Sequence, residues 1–414
     1  MAALALGALC AGAAVSALDG PAHALPLQPL IDATPPGATL RLAPGEYLGP
    51  ATIARPMVLD GAGRARIVGD GGGSVLAVQA DGVTLRALHI ARSGESQDRI
   101  DAGIVLRGSG HVVEDNTLDD VLFGIHLQGA RESVVRRNRV HGKALAPGLR
   151  GDALRLWNAR FNAIEDNDFE RARDLTLMNS PDNRLARNRF RDGRYGLHAV
   201  FSPRLAAEGN RLEHTGTGIV VLYSPQLQLR GNRVAHALTD GGAGIVLKES
   251  DDSTVEGNEV LHCAVGLKLD TPAEGRGRLV VRGNHFAYNL VGLFFYGEAG
   301  SGAFDDNRFS HNLTTVAISA PGAGSAYRWR GNEWDEYQGL DFDRDGIGDT
   351  PHEVLLYADR IWMELPMATF FRNSPAFELL DLLERLAPFA SPVRVLQDPR
   401  PRLHGAAPLQ EIAP

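Results

Sequence analysis

The sequence predicts an all-β fold, a right-handed parallel β-helix solenoid that ends in an acidic loop and a short helical tail. The first observation behind this prediction is an asparagine that recurs ten times in nearly the same local setting. Successive asparagines lie 22, 29, 21, 22, 22, 26, 26, 23 and 25 residues apart. A unit this short cannot bury a hydrophobic face alone, so it must stack on its neighbours. The ten are Asn116, Asn138, Asn167, Asn188, Asn210, Asn232, Asn258, Asn284, Asn307 and Asn332.

The second observation is the short apolar burst that follows a small residue in most repeats, as in Gly218-Ile-Val-Val and Gly244-Ile-Val-Leu. Branched and aromatic residues in such bursts, separated by Gly, Asn, Asp and Pro, are typical of strands. The third observation is that no stretch between Leu40 and Trp334 has sustained helical periodicity, which excludes helical repeats. A leucine-rich repeat is excluded as well, because its LxxLxL frame is absent.

We interpret the ten asparagines as structural. Turns of a parallel β-helix stack about 4.8 Å apart, so equivalent asparagines can hydrogen-bond to one another along the coil. Asparagine also tolerates left-handed backbone geometry at a tight corner. We therefore expect them to build the coil and to perform no chemistry.

The chain begins with a segment that predicts export. Residues 2–17 are small and apolar, and Ala22-His23-Ala24 forms an A-x-A site, so we assign residues 1–24 to a secretory signal peptide. Leu9 is too large for a lipobox before Cys10, so lipidation is not expected. Removal of the signal leaves Cys263 alone, and no intrachain disulfide is then possible.

The remaining residues divide into three predicted segments. The coil spans 25–335, and its segment from Pro36 to Tyr47 is expected to form a first strand and turn that cap it. The acidic loop spans 336–353, and a helical, Pro-rich tail spans 354–414. A net charge of −8 is too mild to indicate nucleic-acid binding, and no later stretch is long enough to span a membrane.

Within the tail, Ser374-Pro375 predicts the start of a helix, with Ser as N-cap and Pro at the first position. Its apolar positions form a wide face. Two roles remain open, a cap on the solenoid and a docking site for a membrane partner. The apolar positions are Phe377, Leu379, Leu380, Leu382, Leu383 and Leu386.

The acidic loop predicts a calcium site. Carboxylates occur at positions 1, 3, 5 and 9 of the segment that begins at Asp341, and glycine occupies position 6. Calcium requires six to eight oxygens, and this spacing surrounds one point with side-chain oxygens while the glycine permits a sharp turn. Position 12 is His352 rather than Glu, so the loop is not a complete EF-hand. The proposed calcium ligands are Asp341, Asp343, Asp345 and Asp349.

The motifs together resemble the NosD family, which comprises periplasmic accessory proteins for the maturation of nitrous oxide reductase. The similar segments are PGATLRLAPGEY near the start, RYGLHAVFS from Arg194, GNEWDEYQGLDFDRDGIGDTP and the DPRP tail. The resemblance implies that the coil is similar to carbohydrate-active β-helices but handles copper. It also implies three partners, namely an ABC transporter in the membrane, a copper-carrying lipoprotein and the reductase itself.

Alignment of the strand starts places two outward-facing rows on the coil. One row holds His126, Arg155, Thr176, His198 and Val220. The companion row, two residues further on, holds Gln128, Trp157, Met178, Val200 and Leu222. His198 and Met178 come from adjacent turns, so their Cα atoms are expected within about 5–7 Å.

Imidazole and thioether suit Cu(I), so the pair is a candidate copper site, and the ring of Trp157 could cover the bound cation. This chain departs from the family pattern, which tends to read MYS at two places. Here those segments are Val200-Phe-Ser and Leu222-Tyr-Ser, so two expected thioethers are absent. Solvated His198 and apolar packing of Met178 remain the plain alternatives.

Two other sulfur-containing candidates are weaker. Met363 and Met367 could share a helical face, but Pro366 argues against a regular helix, and core packing is the better interpretation. Cys263 follows His262, and adjacent strand residues face opposite sides, so these two are treated as unrelated.

Three function classes remain. The first is a non-enzymatic periplasmic copper protein of reductase maturation. The second is a polysaccharide lyase, hydrolase or epimerase, which requires a cluster of acid–base groups on one outward face. Candidates for that cluster are Asp152, Arg155, Asp174 and Arg194. The third is an adhesin-like structural protein. The first class is favoured, because the second cluster adjoins a corner that glycine occupies elsewhere and the third leaves the acidic junction unexplained.

Overall fold

The solenoid is built from strands that pair in parallel from one turn to the next. The computed structural model describes residues 24–239, 241–270, 278–297, 300–319, 322–356, 374–386 and 393–405. Residues 1–23 of the predicted signal peptide, and both Met363 and Met367, lie outside this part of the chain. The predicted parallel β-helix is confirmed.

Each full turn contributes three strands, one to each face of the coil. The first face holds the strand before each recurring asparagine, and the second face holds the strand after it. The first-face strands are Val112–Glu114, Val134–Arg136, Ala163–Glu165, Arg184–Ala186, Ala206–Glu208, Gln228–Arg230, Ser253–Glu256, Arg278–Arg282, Ser301–Asp305 and Arg328–Arg330. The second-face strands are Thr117–Val121, Arg139–Gly142, Asp168–Glu170, Arg189–Arg191, Arg211–Glu213, Arg233–Ala235, Glu259–Leu261, His285–Ala287, Arg308–Ser310 and Glu333–Trp334.

The third face is a separate sheet of twelve strands. These strands are Ala51–Ile53, Leu76–Val78, Ala102–Leu106, Phe123–Gln128, Leu154–Trp157, Asp174–Met178, Tyr195–Val200, Thr217–Leu222, Ala243–Lys248, Val265–Asp270, Val291–Tyr296 and Thr314–Ile318. Many carry the glycine noted in the sequence as their second residue, because the backbones approach closely there. A Cβ at Gly218 would lie 2.1 Å from Cγ1 of Val234 and 2.6 Å from the carbonyl oxygen of Gly244.

Side chains alternate between the core and the outside along every strand. In Tyr195–Val200, for example, Leu197 and Ala199 are buried in the core, whereas His198 faces outward and is half-buried. The buried residues form one main cluster that extends from Leu27 to Leu396.

The ten asparagines form a continuous hydrogen-bonded ladder, as predicted. In each step the backbone N–H and the side-chain amide of one asparagine both donate to Oδ1 of the asparagine in the next turn. For Asn188 and Asn210 these distances are 2.9 and 3.0 Å. The amide of Asn210 also donates to the carbonyl oxygen of Leu185 at 2.9 Å. The ladder thus satisfies buried backbone groups at a corner where the strand ladders are interrupted.

One detail of the asparagine prediction is wrong. The residue that adopts the left-handed backbone is not the asparagine but the residue before it, at all ten corners. Five of these residues are glycine, and the others are Asp or Arg, which meet at neighbouring corners as Arg137 with Asp115 and Arg187 with Asp166. The corner therefore uses two residues, one for backbone geometry and one for the amide ladder.

The N-terminal end of the coil is closed by a helix, Leu27–Ala33, that the sequence analysis did not predict. Leu27 and Ile31 are buried in the core, and the amide of Gln28 exchanges two hydrogen bonds with the backbone of Thr52. The helix therefore satisfies part of the open strand edge. The remaining strands at this end are Leu25–Pro26, Thr39–Arg41, Gly45–Leu48, Val58–Val68 and Thr84–Ala91.

The C-terminal end is closed by a segment of the tail. Strands His352–Leu356 and Val393–Asp398 pair antiparallel. The buried carboxylate of Asp398 takes the place of an eleventh asparagine, because its Oδ2 accepts from the backbone N–H and the side-chain amide of Asn332 at 3.0 and 2.9 Å. Two further helical segments are described, the 3-10 turn Pro147–Leu149 and the helix Pro375–Leu386, which begins at the predicted residue.

Asn210→Ala should lower the free energy of unfolding by about 2–4 kcal/mol, because it leaves buried donors on Asn188 and a buried carbonyl oxygen on Leu185 without partners. Urea unfolding followed by circular dichroism measures this. The neighbouring Arg211→Ala is the control, and its partly exposed ion pair with Glu213, which also lies near Arg189 and Arg233, should contribute less than about 1 kcal/mol. Equal destabilisation by both variants would contradict a special role for the ladder.

Candidate metal sites

The outer surface of the third face carries the two predicted rows. Strand pairing aligns His126 with Arg155, Arg155 with Thr176, and Thr176 with His198. The companion row is also as predicted, since Trp157 pairs with Met178, and Met178 with Val200. The strand register therefore agrees with the alignment of the repeats made from the sequence.

His198 and Met178 lie diagonally across two neighbouring strands. The residue directly opposite His198 is Thr176, and the residue directly opposite Met178 is Val200. Diagonal neighbours in a sheet have Cα atoms about 7–8 Å apart, which long side chains can bridge. Both side chains are partly exposed on the same face of the sheet. The arrangement permits, but does not enforce, a shared metal ion.

The surroundings of His198 favour a neutral imidazole. Burial lowers the pKa of His198, and the nearby carboxylate of Asp174 only partly opposes this effect. The imidazole contacts the ring of Tyr195 edge to face, with ring centroids 5.0 Å apart. The guanidinium carbon of Arg194 lies 4.4 Å from the centroid of the Tyr195 ring. A neutral imidazole can act as a metal ligand without first losing a proton.

Trp157 already has a cation over its ring. The guanidinium carbon of Arg155 lies 5.1 Å from the ring centroid, and the indole remains 36% exposed. The sequence analysis expected this ring to cover a bound metal. The described contact is with Arg155 instead, so a role for Trp157 at copper stays a prediction.

The acid–base cluster of the alternative enzyme hypothesis forms ion pairs in which the carboxylates are buried and the arginines are partly exposed. Asp152 contacts Arg155 at 3.2 Å and Arg173 at 2.9 Å. Asp174 pairs with Arg194 and accepts a hydrogen bond from the backbone N–H of Tyr195 at 3.0 Å. Both carboxylates are almost inaccessible to solvent. Asp152 lies two residues before a third-face strand and Asp174 is the first residue of the next one, which supports the structural role expected from the glycine corner.

Next to this cluster, His126 is buried on the outer side of the third face. Burial lowers its pKa to about 4, with further lowering by Arg155 and Arg107, and among the described residues its Nε2 has no hydrogen-bond partner. The nearby outward residues Val105 and Phe123 pack against Leu145. Leu145 belongs to an insertion between the second and third faces, which accounts for the longest gap between asparagines.

The acidic loop brings three of its four predicted ligands together. Carboxylate oxygens of Asp341, Asp343 and Asp345 lie within 4.8 Å of one another. Oxygens of Asp349 do not join this group, and Oδ2 of Asp349 accepts from the backbone N–H of Phe342 at 2.5 Å. The pKa of Asp343 is raised. A hydrogen bond from the backbone N–H of Asp345 lowers it, but desolvation and the neighbouring carboxylates raise it by more. A cation would relieve this mutual repulsion.

The same loop is attached to the end of the tail. Gly348 N–H donates to the carbonyl oxygen of Pro401 at 2.8 Å, and Leu403 N–H donates to that of Gly346 at 3.0 Å. His352 does not point into the loop, because its ring packs against Trp334 with centroids 4.8 Å apart. The loop thus fixes the segment that follows Asp398.

Several polar residues of the coil were not singled out from the sequence. Ser180, Ser202, Ser224 and Ser250 form a second ladder, in which each backbone N–H donates to the serine hydroxyl of the next turn at 2.8–3.3 Å. Ser202 and Ser224 are the serines of the two segments that replace MYS. The four serines lie 22, 22 and 26 residues apart, as the ladder asparagines do in the corresponding turns, and this shared spacing was the available signal.

The remaining candidates are resolved more simply. Cys263 is fully buried, and burial raises its pKa to about 11. His262 is exposed, so the two residues face opposite sides as expected.

In the helix Pro375–Leu386, four leucines are 46–75% exposed, namely Leu379, Leu382, Leu383 and Leu386. Neither described helix has the length and apolarity that a membrane crossing requires.

These features define a parallel β-helix protein with candidate metal-binding groups on its outer surface. The chain is similar to proteins of the NosD family. The family model described as "Periplasmic copper-binding protein (NosD)" matches residues 141–339. Two relatives share the name "Probable ABC transporter binding protein NosD". The protein from Pseudomonas aeruginosa is 29% identical over 380 residues, and that from Stutzerimonas stutzeri is 28% identical over 391 residues. The alignments cover 84% of this chain in both cases, and 84% and 83% of the relatives.

Solved structures with a similar fold include the A-module of mannuronan C-5 epimerase AlgE6 from Azotobacter vinelandii. Its TM-score is 0.53 at 13% sequence identity, and the match covers 71% of this chain and 91% of that module. At this identity the similarity concerns the fold and not the activity.

Proposed function

We propose that this protein is a periplasmic accessory protein for the maturation of nitrous oxide reductase, where it handles or delivers copper beside an ABC transporter. The observation that carries the proposal is similarity to the NosD family, because relatives named for transporter binding align with 84% of the chain. The description of the family model adds copper and the periplasm. The coil supplies a rigid surface on which outward side chains recur at every turn.

The proposed partners are the membrane component of an ABC transporter, a copper-carrying lipoprotein and the reductase. The exposed leucines of the helix Pro375–Leu386 support a docking role for the tail, because a soluble surface rarely presents several large apolar side chains on one short helix. The test is the copper content of the reductase produced with its transporter, in the presence and absence of this chain. Full copper loading in its absence would contradict the proposal.

The alternative class, a polysaccharide-modifying enzyme, is not favoured. We propose that the chain is not an enzyme, because the carboxylates of Asp152 and Asp174 are buried and engaged by arginines. Purified protein should therefore turn over no uronate or acetylated polysaccharide. Lyase or epimerase activity that disappears in Asp174→Asn would favour the alternative class.

For copper itself, we propose that His198 and Met178 bind Cu(I) together. The double variant His198→Ala/Met178→Ala should weaken Cu(I) binding by about tenfold or more, because it removes one imidazole and one thioether suited to this ion. Competition with a chromophoric Cu(I) chelator under reducing conditions measures the affinity. Restoring thioethers through Val200→Met and Leu222→Met should tighten binding, since Val200 lies directly opposite Met178.

The matched control for the copper experiment is His89→Ala. His89 lies on the second face, where its Nε2 contacts the carboxylate of Asp119 at 2.7 Å, far along the coil from Met178. This variant should leave the Cu(I) affinity unchanged. If the His198/Met178 double variant binds Cu(I) as tightly as the wild type, the site lies elsewhere, and Met363 and Met367 become the next candidates.

We further propose that the acidic loop binds one Ca²⁺ in a structural role. Addition of a chelator should lower the Tm of the calcium-loaded protein, because a ligand bound only by the native state stabilises it by mass action. Asp343→Ala/Asp345→Ala should abolish this dependence, since it removes two of the three carboxylates that converge. Calcium that leaves the Tm of the wild type unchanged would show that the loop is only a turn.

A further inference from the structure

A column of stacked imidazoles lies on the corner between the second and third faces. His214 and His236 have ring centroids 4.7 Å apart and planes 8° apart, and His236 and His262 follow at 5.2 Å and 5°. Tyr288 and His311 continue the column at 5.1 and 4.8 Å. Each of these residues stands four positions after a ladder asparagine. The column is therefore a product of the coil and not of local sequence.

The corner does not require histidine. All five residues of the column have positive φ, which asparagine, aspartate and histidine adopt more readily than most residues. At the equivalent corner of earlier turns the chain uses Asp120, Gly142, Arg171 and Asp192. Because other residue types adopt positive φ at this corner, the backbone conformation does not explain why three successive turns carry histidine there.

The three adjacent imidazoles are available to a ligand. His214, His236 and His262 are exposed, and among the described residues none of their ring nitrogens takes part in a hydrogen bond. Burial and the neighbouring imidazoles of His214 and His262 lower the pKa of His236. Exposed rings of this kind can rotate about the Cβ–Cγ bond without disturbing the core.

The stack can bind a transition-metal ion at its outer edge. A metal–imidazole bond is about 2 Å long and lies in the plane of the ring, so two stacked rings bind one ion side by side, with their nitrogens about 3 Å apart. Exposed rings whose centroids lie 4.7 and 5.2 Å apart reach this separation when they tilt towards each other at that edge. Imidazole is a borderline ligand that suits copper, nickel and zinc, and among the divalent ions Cu²⁺ binds nitrogen ligands most tightly. A third ring on the other side of His236 gives the ion two alternative pairs.

We propose that His236, together with His214 or His262, forms a binding site for a borderline transition-metal ion, Cu²⁺ foremost. The site contains no sulfur and lies at the corner between the second and third faces, whereas His198 and Met178 lie on strands of the third face. It is therefore independent of the proposed Cu(I) pair. His236 is the central ligand, because it alone neighbours an imidazole on both sides.

The test is a titration of the full chain with Cu²⁺, supplied as a weak glycine complex near neutral pH and followed by calorimetry and by electron paramagnetic resonance. The wild type should bind one Cu²⁺ with a nitrogen hyperfine pattern. His236→Asn should weaken this binding by about tenfold or more, because both possible pairs lose their shared member. Asparagine tolerates the positive φ, so the corner should be preserved.

Two further variants keep the result interpretable. His236→Phe keeps an aromatic ring in the stack but removes both nitrogens, and phenylalanine already adopts positive φ at Phe161 and Phe201 of this chain. It should lose Cu²⁺ binding as His236→Asn does. His311→Asn is the matched control, because His311 is equally exposed and stacked but neighbours Tyr288 instead of another imidazole.

Unchanged Cu²⁺ affinity in His236→Asn and His236→Phe would overturn the proposal, as would an equal loss in His311→Asn. The His198→Ala/Met178→Ala variant should bind Cu²⁺ like the wild type while its Cu(I) binding falls. Loss of both ions in that variant would place them at one shared site and would also overturn the proposal. The Cu²⁺ measurement thus tests the His236 site, and the Cu(I) measurement separately tests the proposed pair of His198 and Met178.

Discussion

The asparagine ladder is the interaction on which the rest of the structure depends. A parallel coil must turn a corner three times in every repeat, and each corner exposes backbone groups that the strand ladders do not satisfy. At the corner between the first and second faces one asparagine per turn meets that need, because each amide donates to the next asparagine and to a carbonyl oxygen of the preceding turn. The corner is then fixed in register, and every outward residue falls into a row aligned with the turns above and below it.

That alignment explains how a sequence without sustained local motifs can present functional groups. The two rows on the third face and the imidazole column are separated in sequence by about one repeat per member, yet neighbouring members come into contact or nearly so. Insertions between strands do not break the alignment, since they extend outward from the corners. The insertion that contains Leu145 instead adds a cover over outward residues such as Val105, and so changes the chemistry of the surface without changing the coil.

The ladder also determines how the coil ends. A repeated unit leaves its last corner unsatisfied, and here the carboxylate of Asp398 accepts the two hydrogen bonds that an eleventh asparagine would accept. Its indole neighbour, Trp334, donates to the same oxygen at 3.3 Å. The acidic loop is hydrogen-bonded to the residues that follow Asp398, so it supports this closure whether or not it holds an ion. At the opposite end, Leu27 and Ile31 of the first helix shield the core from solvent.

The sequence by itself determined the coil, its ladder asparagines, the outward rows and the start of the helix at Pro375, because each depends on a short pattern or a regular period. It could not determine that the residue before each asparagine carries the left-handed backbone, because Asp, Arg and Gly have no common preference that marks this position. Only the tertiary structure joined Asp398 to Asn332, 66 residues away, and left Asp349 outside the group of three carboxylates. It also showed that His198 and Met178 are diagonal rather than opposite, and that three imidazoles stack. The physical reason is that contacts between turns depend on the pairing register of the strands. Because insertions of variable length separate the strands, this register cannot be read from the sequence.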